Sequence, residues 1–298
     1  MSEDGRGPGT GDPDDADRLS PGAAFALLGD ETRVAILRAL SEQEGPVGFS
    51  ELRSRVGVAD SGRFNYHLGK LLDRFVRKTT DGHGGYELTL AGQQVVGALL
   101  AGTYTASPAI DPIELEEPCP VCGGPAVAAY EDEVVTMRCT NCDEWLNEFP
   151  FPSGTLEEFD REELPVAFDR WLRTTMARVI DGFCPTCSGR VDGRLVVDPA
   201  HPDGVRAQFE CTRCPEEFRM SVLAPLLFHP AVVALAHDHG LDVSATPTWR
   251  LVERLEADVE VVEADPLRVR AAIELDDDRL VVAMDRDRSV EVLEPAGD

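Results

Sequence analysis

Between residues 61 and 75, Phe64, Leu68, Leu71 and Phe75 recur at i, i+4, i+7 and i+11, the single apolar stripe of an amphipathic helix. Arg63, His67, Lys70 and Arg74 repeat that spacing one residue earlier, with Tyr66 beside them, which predicts an exposed basic face. Asp60 or Ser61 is placed to cap this helix. Upstream, Ser20 and Pro21 form a cap and first-turn pair before AAFALLG. Asp30 caps ETRVAILRALS, where Val34, Leu37 and Leu40 keep helical spacing, and Ser50 is expected to cap ELRSRVG ahead of Gly57. Downstream, FVRKTT and GYELTL are extended runs joined by DGHG, a hairpin signal, and AGQQVVGALLAG reads as a closing helix.

Beyond this segment the pattern shortens. PAVAAY with EVVTMRC, and GRLVVDP with VRAQFEC, read as two further hairpins. ELPVAFDRWLRTTMARVIDG is an amphipathic helix with Phe168, Trp171, Leu172, Met176, Val179 and Ile180 on its apolar side, and SVLAPLLFHPAVVALAHDHG is helical with a break at Pro230. From Asp258 onward, four runs of alternating apolar and polar residues separated by Asp-rich turns predict an antiparallel sheet.

The fold class expected is α+β: an N-terminal winged helix-turn-helix, two zinc-ribbon modules and a C-terminal antiparallel β-sheet. The boundaries are an acidic disordered leader over 1–20, the helix-turn-helix unit over 21–104 and a linker over 105–117. A first ribbon follows over 118–150, then a linker with the amphipathic helix over 151–182 and a second ribbon over 183–220. A helical segment over 221–257 leads into the sheet over 258–298.

Charge changes this picture. The 298 residues carry 55 acids against 28 bases, for a formal charge of −27. Pro21 to Gly102 nevertheless balances nine acids with nine bases, and Ser61 to Thr80 holds five bases and one acid. The chain's two lysines, Lys70 and Lys78, both lie there. A positive face kept in an acidic chain points to an anionic partner, with nucleic acid foremost. The overall composition resembles that of halophilic archaeal proteins, in whose molar-salt cytoplasm the Debye length shrinks to about 3 Å and dense carboxylates cease to repel one another. With no signal-peptide pattern and no apolar run long enough for a membrane span, the expected location is the cytoplasm, with no membrane partner.

ALLGDETRVAILRAL, FSELRSRVGV, SGRFNYHLGKLL and a hairpin beginning FVRK together resemble the DNA-binding domain of ArsR-type transcriptional regulators, especially their halophilic archaeal branch. The resemblance covers a little over a quarter of the chain. It implies a homodimer in which Ser61 to Phe75 enters the major groove of double-stranded DNA and the Thr79 to Tyr86 hairpin lies along the flanking backbone. ELRSRVGVADSG lacks the cysteines of the family's metal-sensing members, so arsenic-type sensing there is unsupported.

Residue chemistry suggests the roles. Arg63 suits bidentate pairing with guanine, and Asn65 or His67 suits base edges, although the helical angle of Asn65 lies away from the Arg63 stripe. Lys70, Arg74, Arg77 and Lys78 suit phosphates, Ser61 and Tyr66 complete the face, and His83 stands at the hairpin tip. Gly69 in mid-helix costs about 1 kcal/mol relative to alanine, which suggests close approach by another backbone.

The eight cysteines fall into four CxxC pairs: Cys119 and Cys122 with Cys139 and Cys142, and Cys184 and Cys187 with Cys211 and Cys214. The pairs are separated by 16 and 23 residues respectively, and each quartet begins CPxC and ends CTxC, an internal repeat. Two knuckles at the base of a hairpin present four thiolates tetrahedrally, so two structural Zn2+ ions are expected, with iron or a redox switch as the lesser alternative. Four thiolates fill the coordination sphere and leave no position for a catalytic water. His229, His237 and His239 read as capping or solvated rather than as metal ligands. No nucleophile triad, phosphate loop or dinucleotide fingerprint is present, so the chain is not expected to be an enzyme. The expected function is sequence-specific transcriptional regulation, with the zinc-bearing region sensing or contacting a protein partner. The alternative is a zinc-stapled adaptor whose winged helix docks protein.

Overall fold

The computed structural model describes residues 19–79, 84–104, 108–142 and 145–294, which form a mixed α+β protein with several antiparallel sheets. The chain divides into two compact units, Met1–Thr105 and Ala106–Asp298. Residues 1–18 of the acidic leader expected over 1–20, and the hairpin tip with His83, lie outside the described residues.

In the first unit, Ser20 caps α1 (Pro21–Leu28) by accepting from Ala23 N, and Asp30 caps α2 (Glu31–Ser41) by accepting from Arg33 N. Helix α3 (Phe49–Val56) starts one residue before Ser50, which is therefore not its cap. Gly48 occupies that position without a side-chain bond, and Gly57 closes the helix in the left-handed conformation, φ 75°. Asp60 caps α4 (Ser61–Leu71), and β1 (Val76–Lys78) pairs with β2 (Tyr86–Leu88) before α5 (Leu90–Leu100). Tyr86 also bridges Val47, so the segment before α3 adds a third extended piece to the hairpin. Ile36, Leu37, Leu52, Phe64, Leu68, Leu71 and Val76 form the core, with Phe49 set edge-on to Phe64 at 5.2 Å.

Gly69 does not make the close approach expected of it. A Cβ built there meets nothing within 4 Å. Gly69→Ala should therefore raise the stability of this unit by up to about 1 kcal/mol, read as a higher thermal midpoint.

The second unit holds three sheets. The first has the order β3 (Ile110–Glu114), β4 (Ala126–Glu131), β5 (Val134–Cys139) and β6 (Leu146–Pro150). Residues 110–114, expected as linker, are thus a strand. The second sheet is β7 (Val191–Val197), β8 (Val205–Cys211) and β9 (Glu217–Met220). The third is the expected four-stranded meander: β10 (Glu256–Ala264), β11 (Leu267–Leu275), β12 (Asp278–Asp285) and β13 (Val290–Glu294).

Helix α6 (Leu164–Ile180) serves two cores. Phe168 packs with Tyr130 and Phe149 of the first sheet and with Phe151 just after it, and Val179 packs with Cys184, Phe209 and the third sheet. Trp171 departs from the expected apolar side: it is exposed, and its indole N–H donates to the Pro150 carbonyl at 2.9 Å. Asp169 is buried against Arg173, 3.1 Å away, and accepts from Thr248 N. Burial pushes the Asp169 carboxyl pKa up despite these partners. Helices α7 (Leu223–Leu226), α8 (Pro230–Asp238) and α9 (Thr248–Arg254) complete the unit. Among the described residues no helix is long and apolar enough to cross a membrane.

His229 caps α8 by accepting from Ala231 N. His239 sits between Asp278, 2.8 Å from its Nε2, and Asp276, 3.0 Å from its Nδ1, and Arg254 also reaches Asp276. The hydrogen bond to Asp278 is the largest influence and raises the imidazole pKa above its ordinary 6.5, partial desolvation acting the other way and Asp276 adding to the rise. A raised histidine pKa stabilises the fold below 6.5 and loses that contribution as pH rises through the folded-state value. Melting curves taken from pH 6 to 9 should therefore show a decline with rising pH that His239→Gln flattens.

Candidate nucleic-acid interface and metal centres

The orientation of α4 follows from its cap and its stripe. Asp60 Oδ1 accepts from Arg63 N at 2.8 Å, and Phe64, Leu68 and Leu71 are buried. Ser61, Arg63, Asn65, Tyr66 and Lys70 are left exposed, with Arg63, Tyr66 and Lys70 on one face. Lys70 Nζ lies 5.5 Å from the centre of the Tyr66 ring, close enough for the aromatic face to steady the ammonium.

His67 is a correction to the expected basic face. It is 8 % exposed, with Nδ1 3.3 Å from Asp30 Oδ1 and its ring edge-on to Tyr66. Three residues after Phe64 and one before Leu68, it falls at the border of the buried stripe, where the acid that caps α2 meets it. Its Nδ1 faces Asp30, which links α4 to the start of α2 and takes His67 off the exposed face. Burial acts to raise the Asp30 pKa, but the Arg33 and Thr32 N–H groups and the positive potential of His67 and Arg33 hold the carboxyl below its ordinary value.

Arg74 also lies off the helical face. The helix ends at Leu71, and Asp73 takes the left-handed conformation, φ 63°, so Arg74 is a half-buried turn residue. On β1, Arg77 Nε donates to Glu87 Oε1 at 2.6 Å across the hairpin, while Lys78 is exposed. The structure thus gathers Ser61, Arg63, Asn65, Tyr66 and Lys70 on one exposed helix and places Arg74, Arg77 and Lys78 at the entry to the hairpin. His83 lies outside the described residues.

The cysteines come together as the spacing predicts. Hairpin β4–β5 pairs Ala126 with Cys139, and β7–β8 pairs Val191 with Cys211, so each second CxxC sits at the open base of its hairpin beside the first. Within each quartet the four sulfurs lie within 4.8 Å of one another. Cys119 to Cys142 is 3.9 Å, Cys122 to Cys139 is 3.5 Å, Cys184 to Cys214 is 3.6 Å and Cys187 to Cys211 is 3.5 Å. These exceed a disulfide bond and approach the separation of about 3.8 Å that a tetrahedron with metal–sulfur distances of about 2.3 Å imposes.

The supporting shell repeats as well. Cys119 N donates to Gly124 O and Cys184 N to Gly189 O, at 2.8 and 2.9 Å. Gly123 and Ser188 take the same left-handed conformation, φ 68° and 55°. A Cβ at Gly124 would meet Asn141 Cβ at 2.6 Å, and one at Gly189 would meet Arg213 Cβ at 2.9 Å, so only glycine lets the facing knuckles close. Backbone N–H groups of Val121, Asn141, Gly189 and Arg213 donate to sulfur.

Such donors favour thiolates. The Asn141 amide, followed by the Gly124 N–H, brings the Cys122 thiol down to about 6. Cys211 also falls to about 6, where burial is outweighed by the N–H groups of Arg213 and Cys214 and by the Cys187 thiol. Cys214 rises to about 12: the Glu216 N–H acts to lower it, but burial and hydrogen bonds with Cys187, Cys211 and Cys184 prevail. The arrangement is compatible with two metal sites, one per quartet.

Two family models match the chain, a domain of unknown function, DUF7347, over residues 21–99 and another, DUF7351, over residues 116–290. No curated protein and no solved structure matches it. The second match spans more than half of the sequence, so the chain belongs to the DUF7351 family.

Proposed function

We propose that this member of the DUF7351 family is a sequence-specific DNA-binding transcriptional regulator, ArsR-like in its first unit, with two structural zinc ions in its second. The observation that carries this reading is the exposed Arg63, Tyr66 and Lys70 face of α4 in a chain of formal charge −27. Helix α4 packed on α2 and α3, followed by hairpin β1–β2, has the order of a winged helix-turn-helix.

In this reading α4 enters the major groove. Arg63 pairs with guanine, Asn65 with a neighbouring base edge, and Lys70, Arg74 and Lys78 with phosphates. Arg77 exchanges its exposed pairing with Glu87 for a phosphate, a swap of low cost because such surface pairs contribute about 0–1 kcal/mol. Counterion release contributes little in molar salt, so affinity rests on base contacts and on pairing of two half-sites.

A homodimer supplies that pairing. Phe25 of α1, Leu90 and Leu100 of α5, and nearby Tyr104 are all more than 60 % exposed, apolar surface that a second copy would cover. Each tetra-thiolate site takes one zinc, which closes the coordination sphere and staples its hairpin, and the chemistry asked of the second unit is then binding and not catalysis.

The test is selection from random duplex DNA by the intact protein in molar KCl. Enrichment of one motif, with two half-sites related by a dyad, supports the reading. Recovery of unenriched DNA, or none, sinks it and leaves the adaptor alternative.

A further inference from the structure

A pocket of about 940 Å³ opens in the second unit between α6, the turn after α7, α8, α9 and the loop after α8. Its volume lies within the range of roughly 300–1,000 Å³ in which small-molecule sites occur. Met176, Ala177, Leu227, Phe228, Val233 and Leu251 make the walls apolar, and Phe228 and Val233 remain about 40 % exposed at its edge.

The charged groups around the pocket reverse the balance of the chain. Acids outnumber bases about two to one overall, yet the lining residues include Arg170, Arg173 and His237 against one acid, Asp242. Arg173 is committed to structure: it faces Asp169 and donates to the carbonyls of Val243, Ser244 and Thr246, which fixes the loop forming one wall. Asp242 is committed too, since its Oδ1 accepts from Ser244 N, Ser244 Oγ and Ala245 N. Arg170 is exposed and enters no ion pair among the described residues. One free cation beside an apolar cavity is the complement of a molecule with an apolar tail and an anionic head.

We infer that this pocket binds a small amphipathic carboxylate, its tail against Met176, Leu227 and Val233 and its head on Arg170. The site is independent of whether the first unit binds DNA. It gives the second unit a ligand of its own. Arg178, next to the lining residue Ala177 on α6, donates to Oγ of Ser188, which directly follows Cys187, at 2.8 Å, so the helix that holds the ligand also touches the second cysteine quartet.

Isothermal titration of the full-length, metal-loaded protein in molar KCl near neutral pH tests this, with decanoate as probe and decanol and acetate as controls. Decanoate should saturate one site per chain, decanol should bind at least about tenfold more weakly, and acetate should not bind measurably. Arg170→Gln, at an exposed position, should reduce decanoate affinity about tenfold while leaving the melting midpoint unchanged. Ala177→Phe, which fills the cavity, should abolish binding of the tail. Absence of saturable decanoate binding, equal affinity for decanol, or binding unchanged in both variants would overturn the inference.

Discussion

Cys184→Ser should cost the second unit its second metal ion and with it the packed core. Cys184 is fully buried, its sulfur lies 3.6 Å from that of Cys214, and it belongs to the same cluster as Val179, Val191, Phe209 and the apolar face of β11 and β12. Structural zinc sites bind with about 10–16 kcal/mol in small domains, as much as the whole stability of a typical domain, about 5–15 kcal/mol. Removing one ligand from a buried site therefore releases a large share of what holds this core. The expected result is one metal per chain in place of two by native mass spectrometry, and a lost or strongly lowered thermal transition.

Cys122→Ser is the contrasting variant. Cys122 is exposed, and no cysteine of its quartet belongs to the core that holds Cys184, so the second site should keep its metal when the first is damaged. A strong chelator should reproduce both losses together. Wild-type protein with no bound metal, or a Cys184 variant that keeps two ions and its melting midpoint, would refute zinc stapling.

The second large effect is on DNA. Arg63→Glu with Lys70→Glu reverses two exposed cations on α4 without touching Phe64, Leu68 or Leu71. A good bidentate base contact discriminates by about 1–3 kcal/mol, and the lost phosphate contact and new repulsion add to that, so affinity for the selected duplex should fall at least about a hundredfold. The melting midpoint of the first unit should stay close to that of wild type, because both side chains are exposed. His67→Ala should behave in the opposite way, weakening the fold through the lost contact with Asp30 while sparing base preference. Measuring binding and melting together separates the two.

The parts of this molecule that were legible from the sequence are those decided locally. Asp30 and Asp60 announce α2 and α4 because a side-chain carboxylate can satisfy orphan N–H groups three residues ahead. The cysteine quartets were legible because CxxC pairs and intervening hairpins encode their own geometry. What escaped depends on partners distant in sequence. IDPIE, interrupted by Pro112, gives no strand signal of its own and becomes β3 only by pairing with β4.

The same limit applies to the candidate site residues. A helical wheel puts His67 with Arg63 and Lys70, but the border of the buried face is set by Asp30 from another helix. Arg74 keeps the wheel's spacing and still leaves the face, because α4 stops at Leu71. The pocket beside Arg170 is formed by α6, α8, α9 and a loop, and no short stretch of sequence contains it.

The most direct measurement is genome-wide occupancy in living cells, comparing wild-type protein with the Arg63→Glu, Lys70→Glu variant at equal abundance. A regulator that reads DNA through α4 predicts discrete wild-type peaks sharing a dyad motif, all lost in the variant. Peaks that persist in the variant, or no wild-type enrichment at all, would contradict the reading.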